Sequence, residues 1–294
     1  MKIDSACILE DRGILFVEGQ DAKDFLQNII TNDIEKVTEN NSCFASLLSP
    51  QGKFLFDFII IKHKKGYLID CEKAQIDELY KKLSLYKLGS KLKILNLSNE
   101  FVVVALSYEK FISMNDSQDK LGFTLKFRED AILLDPRNKK LGARLIINLE
   151  KFYLSLKKLN IKPLNQEEYY KLSYELGIVQ KNTNKLVDKI FGIECNFEEL
   201  NGIDFHKGCY VGQENTARIK LRNKLTKRLF PIRVIEGKVK EGDIIFNENL
   251  EIGKVLISEN YPFAIIKFTS EKFDFNSTLN IKEAKIKVIK PSWL

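Results

Sequence analysis

Cys209 lies in the stretch KGCYVGQENTAR, residues 207–218, between a lysine-glycine pair and a tyrosine. The thiolate is the reactive form of cysteine, and a nearby cation favours it. Lys207 supplies such a cation two residues away. Gly208 and Gly212 let a backbone turn sharply or approach a ligand closely. Gln213 and Glu214 bring donors and acceptors that can read an amide-rich heterocycle. The plainer alternative is a small buried hydrophobe. A core strand has no need of this mixture, so the loop is expected to work through its thiol, although one sulfur does not ligate a metal cluster stably by itself.

Two other stretches could do chemistry. Asp57 interrupts the apolar run FLFDFIII. A carboxylate there must find donors or its pKa rises. It either bonds neighbouring backbone or a lysine, or waits for a ligand. The run ARIKLRNKLTKR (217–228) holds Arg218, Lys220, Arg222, Lys224, Lys227 and Arg228 with no acid. It reads as a solvated face, a seat for an anionic tail, or a contact for RNA phosphates. It has no interleaved aromatics, so base stacking is not indicated. Gly-rich phosphate loops, HExxH and GxSxG are absent from the sequence. The cysteines are scattered and the two histidines, His63 and His206, lie far apart, so no metal site is expected.

The elements that must position these residues follow from periodicity. ACILE and ILFVEG flank the turn DRG and predict an N-terminal hairpin. DAKDFLQNII predicts a helix with Asp21 as N-cap, running into a turn at TNDI. CFASLL, FLFDFIII and GYLIDC read as strands, KAQIDELYKKLSLYKL as an amphipathic helix, and KLKILNL and FVVVALS as strands again. Residues 42–110 therefore read as one α+β unit. AILLDPR and GARLIIN add strands, and NQEEYYKLSYELG (165–177) a helix. From 225 onward short strands recur with Gly, Asn and Pro between them, the pattern of a small antiparallel barrel.

The 294 residues carry a net charge of +7, a mild excess that means little unless clustered. No run of 18 apolar residues occurs, so no spanning helix is expected. Five cysteines without a CxxC fit a reducing compartment. The N-terminus has no apolar signal region, and the expectation is a cytoplasmic protein.

KGCYVGQE resembles the motif of the YgfZ-type folate-binding proteins, relatives of the glycine-cleavage T-protein. FLQNIITNDI (25–34), SLLSPQGKFLFDF (46–58), DPR (135–137), LGARL (141–145) and ELNGIDFHKGCYVGQE (199–214) occur in that family's order. The resemblance covers most of the chain. It implies an α+β, three-lobed folate-binding fold: two interleaved lobes over 1–222, with an inserted lobe at about 42–110, and a C-terminal antiparallel β-barrel over 223–294. It implies binding of tetrahydrofolate or a derivative, polyglutamylated forms included. The implied role is support of the assembly or repair of iron–sulfur enzymes, among them enzymes that modify tRNA. Partners are then folate and, transiently, client enzymes or assembly proteins, with tRNA a further candidate through 217–228. A monomer is expected.

By motif the family's key cysteine falls on Cys209, with Lys207, Gly208, Tyr210, Gly212, Gln213 and Glu214 around it. Folate contacts fall on Asn32, Asp57, Glu194 and Gln213, and an anionic tail or RNA on Arg218, Lys220 and Arg222. Three departures stand out. Phe56 occupies a position where the T-protein has a carboxylate, so aminomethyl transfer is expected to be missing. Arg144 stands where the T-protein has a pterin-contacting acid. Ser173 and Val179 replace an arginine and a proline of the YgfZ pattern. The competing readings are a true aminomethyltransferase of the glycine-cleavage type and a tRNA-binding module.

Overall fold

The computed structural model describes residues 5–127, 130–158, 162–222, 225–268 and 273–294. Lys224 of the basic run lies outside them. In chain order the first half contains β1 (Ser5–Ile8), β2 (Arg12–Gly19), α1 (Ala22–Ile29), β3 (Cys43–Leu48), β4 (Phe54–His63), β5 (Gly66–Glu72), α2 (Ile76–Tyr86), β6 (Leu92–Asn96) and β7 (Phe101–Leu106). The middle adds α3 (Tyr108–Ile112), β8 (Thr124–Phe127), β9 (Asp130–Leu134), β10 (Ala143–Asn148), α4 (Leu149–Lys158), β11 (Lys162–Leu164), α5 (Gln166–Glu175) and α6 (Gln213–Leu221). The last part is all strand: β12 (Lys227–Glu236), β13 (Ile244–Asn247), β14 (Leu250–Ile257), β15 (Phe263–Lys267), β16 (Leu279–Ile281) and β17 (Ala284–Val288).

These strands form an antiparallel sheet ordered β3-β4-β5-β2-β6, a mixed sheet ordered β11-β1-β7-β10-β9-β8, and a closed barrel of β12 to β17. The fold is α+β with a C-terminal antiparallel barrel. A closed barrel leaves no unpaired edge, which lets strands this short persist.

The first two strands do not make a hairpin. The turn is tight, with Arg12 N–H donating to Leu9 O at 3.1 Å, but its arms diverge into different sheets. β1 pairs with β7 and β11, whereas β2 pairs with β5 and β6. The unit expected over 42–110 is likewise redrawn. β2 sits inside the five-stranded sheet, and β7 leaves for the other one. Asp21 precedes α1 as expected, but its carboxylate caps no helix N–H and accepts from Lys91 N at 2.7 Å instead.

Side chains alternate across a strand, and that period decides what meets in the middle. Leu15, Phe58, Ile60 and Ile69 pack outward against α1 and α2. Leu145 and Ile147 pack outward beneath α3 and α4. The opposite faces, with Ile14, Ile59, Leu68, Leu133 and Ile146, meet in a shared core with α5. The same parity sends Arg12, Asp57, Asp70, Asp135 and Arg144 to this inner layer. Leu229, Leu256 and Phe263 of the barrel join it from one side.

Candidate functional site

Five charged side chains in the inner layer form a saturated network. Arg12 Nε donates to Asp70 Oδ1 at 2.7 Å and its Nη2 to Asp70 O at 2.8 Å. Arg144 Nη1 donates to the other oxygen of Asp70, and its Nη2 to Tyr169 Oη at 3.0 Å and to Gln180 Oε1. Arg137 grips Asp135 through Nε at 2.9 Å and Nη2 at 2.7 Å, and shares Gln180 Oε1 at 2.9 Å. Ser173 Oγ accepts from Gln180 Nε2 at 2.7 Å and so fixes that amide. The arginine and serine departures are thus parts of one structure. Burial raises the pKa of Asp70 and Asp135, but the guanidiniums overcome it and hold both below the ordinary value.

Asp57 differs. It is 7% exposed, and its carboxylate makes no hydrogen bond or ion pair among the described residues. Burial pushes its pKa up to about 6, only partly offset by the fields of Arg12 and Arg137. Phe56, its neighbour, is buried in the opposite core with α1 and α2.

The 207–212 loop is held by its backbone and by one lysine. Lys207 Nζ donates to three main-chain carbonyls at the end of α1: Gln27 O at 2.6 Å, Ile30 O at 2.7 Å and Asn32 O at 2.9 Å. These include carbonyls that a helix C-terminus leaves without partners. Burial lowers the Lys207 pKa to about 8. Its charge was expected to act on Cys209; its three protons are instead committed to the chain at α1. Val211 N–H adds a bond to Asn28 O at 3.2 Å. Tyr210 is buried, and burial raises its pKa to about 12.

Only one of the two glycines is required by geometry. Gly212 has φ +84°, and a Cβ there would lie 2.5 Å from Ser49 O. At Gly208 a Cβ would meet nothing within 4 Å. Gly212 lets the loop press against the turn 49–53, whose Gly52 has φ +79°. Cys209 is exposed, while Cys7, Cys43, Cys71 and Cys195 are buried. Burial raises the pKa of all four, that of Cys43 to about 12. Among the described residues no three His, Cys, Asp or Glu side chains gather as a metal cage.

Cys209 opens onto a groove of about 680 Å³ with Pro50, Gln213, Arg218, Leu221 and Arg222 in its wall. Pro50 lies in the 46–58 motif and the 85% exposed Leu221 in the basic run, but the sequence singles out neither as a site residue. The proposed folate contacts do not converge in one cavity. Gln213 lines this groove, Glu194 a second one beside the barrel, and Asn32 a third beside Pro136 and Asn201. Asp57 is in none of these three walls. Asn32 is occupied structurally, its Nδ2 donating to Phe44 O and Asn201 O. Glu194 accepts from Phe191 N–H at 2.8 Å, and burial raises its pKa.

The basic run is less free than its sequence suggests. Glu214 pairs with Arg218 one helical turn away, and Glu198 with Lys220. Glu199 holds Arg228 at 2.6 Å. Distant acids thus compensate a stretch that contains none. Arg222 makes no ion pair among the described residues.

No family model matches the chain. The curated proteins to which it is similar include three, each named as a mitochondrial iron–sulfur cluster assembly factor IBA57 or its homologue. Identity is 29% over 264 residues with that of Dictyostelium discoideum, covering 81% of this chain and 64% of the relative. It is 31% with that of Neurospora crassa, covering 79% and 54%, and 27% with that of Mus musculus, covering 78% and 66%. The chain thus spans between about half and two-thirds of the length of these relatives. The fold matches the crystal structure of the glycine cleavage system aminomethyltransferase T from Bartonella henselae, with a TM-score of 0.76 at 12% identity. That match covers 99% of this chain and 86% of the other. The cytoplasmic expectation is overturned by these relatives, each of which is named as mitochondrial. A folded domain does not carry the address, because targeting segments are separate from it. By sequence the chain is similar to the IBA57 proteins, and by fold it is similar to the glycine cleavage system aminomethyltransferase T.

Proposed function

We propose that this chain binds tetrahydrofolate or a derivative and serves the assembly or repair of iron–sulfur proteins. Asp57 carries the folate half of this reading. Its carboxylate is largely desolvated and has no protein donor among the described residues, and a pterin edge offers paired N–H groups to such an acceptor. The IBA57 relatives support the iron–sulfur half. Cys209, the one exposed thiol among the five, is then the group presented to a client or assembly protein. The inner network adds an argument against aminomethyl transfer. Its two carboxylates are fully engaged by arginines, and Phe56 faces away from Asp57.

Calorimetry with tetrahydrofolate tests the reading. The parent should bind with a measurable heat, and Asp57→Asn should lose most of the affinity while keeping its fold. Absence of heat and of thermal stabilisation in the parent, at saturating ligand, would remove folate from the account.

A further inference from the structure

A second groove of about 390 Å³ lies where the barrel meets the rest of the molecule. Lys53 and Lys189 line it from one side, and Lys227, Lys254 and Lys267 from the barrel. Glu194 and Glu251 are its only acids, so five ammonium groups face two carboxylates. Three of the lysines have local partners. Lys189 pairs with Glu241, Lys267 Nζ donates to Glu251 O at 3.0 Å, and Lys53 sits 3.7 Å above the Phe191 ring. Lys227 and Lys254 make no ion pair or hydrogen bond among the described residues.

Gathering like charges in one concavity is unfavourable without a counter-charge. Surface lysines that serve only solubility have no reason to converge from two parts of a fold. We propose that this groove binds a phosphate chain. The cations are all lysines, compact point charges of the kind that bind phosphoryl oxygens. Ile252 and Leu256 of the wall are apolar and buried. The cavity is of ordinary ligand size and lies at a junction between units, where such sites are common. The chain is either inorganic or carried by a nucleoside. This inference does not depend on folate binding.

The test is calorimetry on the full chain with tripolyphosphate and, separately, with ATP, both without metal. Binding of one equivalent is expected, weakened by added salt. Lys227→Glu/Lys254→Glu should weaken it by at least about tenfold. Lys65→Glu/Lys93→Glu, in a different cavity, should leave it unchanged. Tighter binding of ATP assigns the chain to a nucleoside; equal binding assigns a free chain. No binding, an equal loss in both double variants, or equally tight binding of tetraglutamate would overturn the proposal. Should the first variant melt early, Lys227→Ala/Lys254→Ala gives the same comparison without added repulsion.

Discussion

Asp70 and Asp57 occupy the same inner layer on neighbouring strands, and both are buried, yet their pKa values move in opposite directions. Asp70 touches two guanidiniums and is held ionised. Asp57 feels arginines only at a distance and is pushed towards the acid. Contact, not burial, decides whether a buried carboxylate is a strut or a receptor. The strut has its acceptor capacity filled by protein, whereas the receptor has it empty.

The comparison breaks most severely at the strut. Asp70→Asn leaves buried Arg12 without its ion-pair partner and Arg144 with only Asp135 at 3.4 Å, and about 3–5 kcal/mol of stability should be lost in denaturant titration. A loss under 1 kcal/mol would mean that water, not Asp70, compensates these arginines.

The receptor should respond with the opposite sign. Asp57 has a folded pKa of about 6 against an ordinary 3.8. Between those values the folded state binds more protons than the unfolded state, so stability falls as pH rises through the window. Above pH 6 the ionised group costs up to about 3 kcal/mol. Asp57→Asn should therefore raise the melting temperature at pH 7.5, and the gain should shrink to nothing near pH 4. A variant less stable than the parent at pH 7.5 would show that Asp57 has an internal partner.

The Cys209 loop sharpens the contrast at smaller scale. Lys207→Met strands three carbonyls and should cost about 2 kcal/mol, with a changed rate of Cys209 alkylation. Cys209→Ala, at an exposed tip, should stay within about 0.5 kcal/mol of the parent and still fail to restore cluster-enzyme activity in cells lacking the protein. Full rescue would make the thiol incidental.

Much of this was legible beforehand, and the failures share a cause. Apolar runs bounded by turn residues marked β4, β5 and the barrel strands, and period 3.6 marked α1 and α2. The single charge at Asp57 stood out in an apolar strand, and Arg144 only as a departure from the resemblance. What local pattern cannot carry is the partner. Asp70 is 58 residues from Arg12 and 74 from Arg144, so strut and receptor look alike in sequence. The basic run looked unopposed because Glu198 and Glu199 lie outside it. Lys207 looked like the activator of Cys209 because it is adjacent in the chain, yet its ammonium points to α1. The DRG turn was read correctly as a turn, but its length says nothing about which sheets its arms enter.

The lysine at the end of α1 has a consequence for how this molecule tolerates change. Its three acceptors are main-chain carbonyls, at Gln27, Ile30 and Asn32. Every residue type supplies a carbonyl. For the latch, the side chains at positions 27 and 30 can vary freely, provided that the helix still ends where it does. The whole informational burden of docking the thiol loop rests on position 207 and on helix length. An insertion of one residue within α1 would rotate those carbonyls by about 100° and undo the latch more thoroughly than side-chain replacements there.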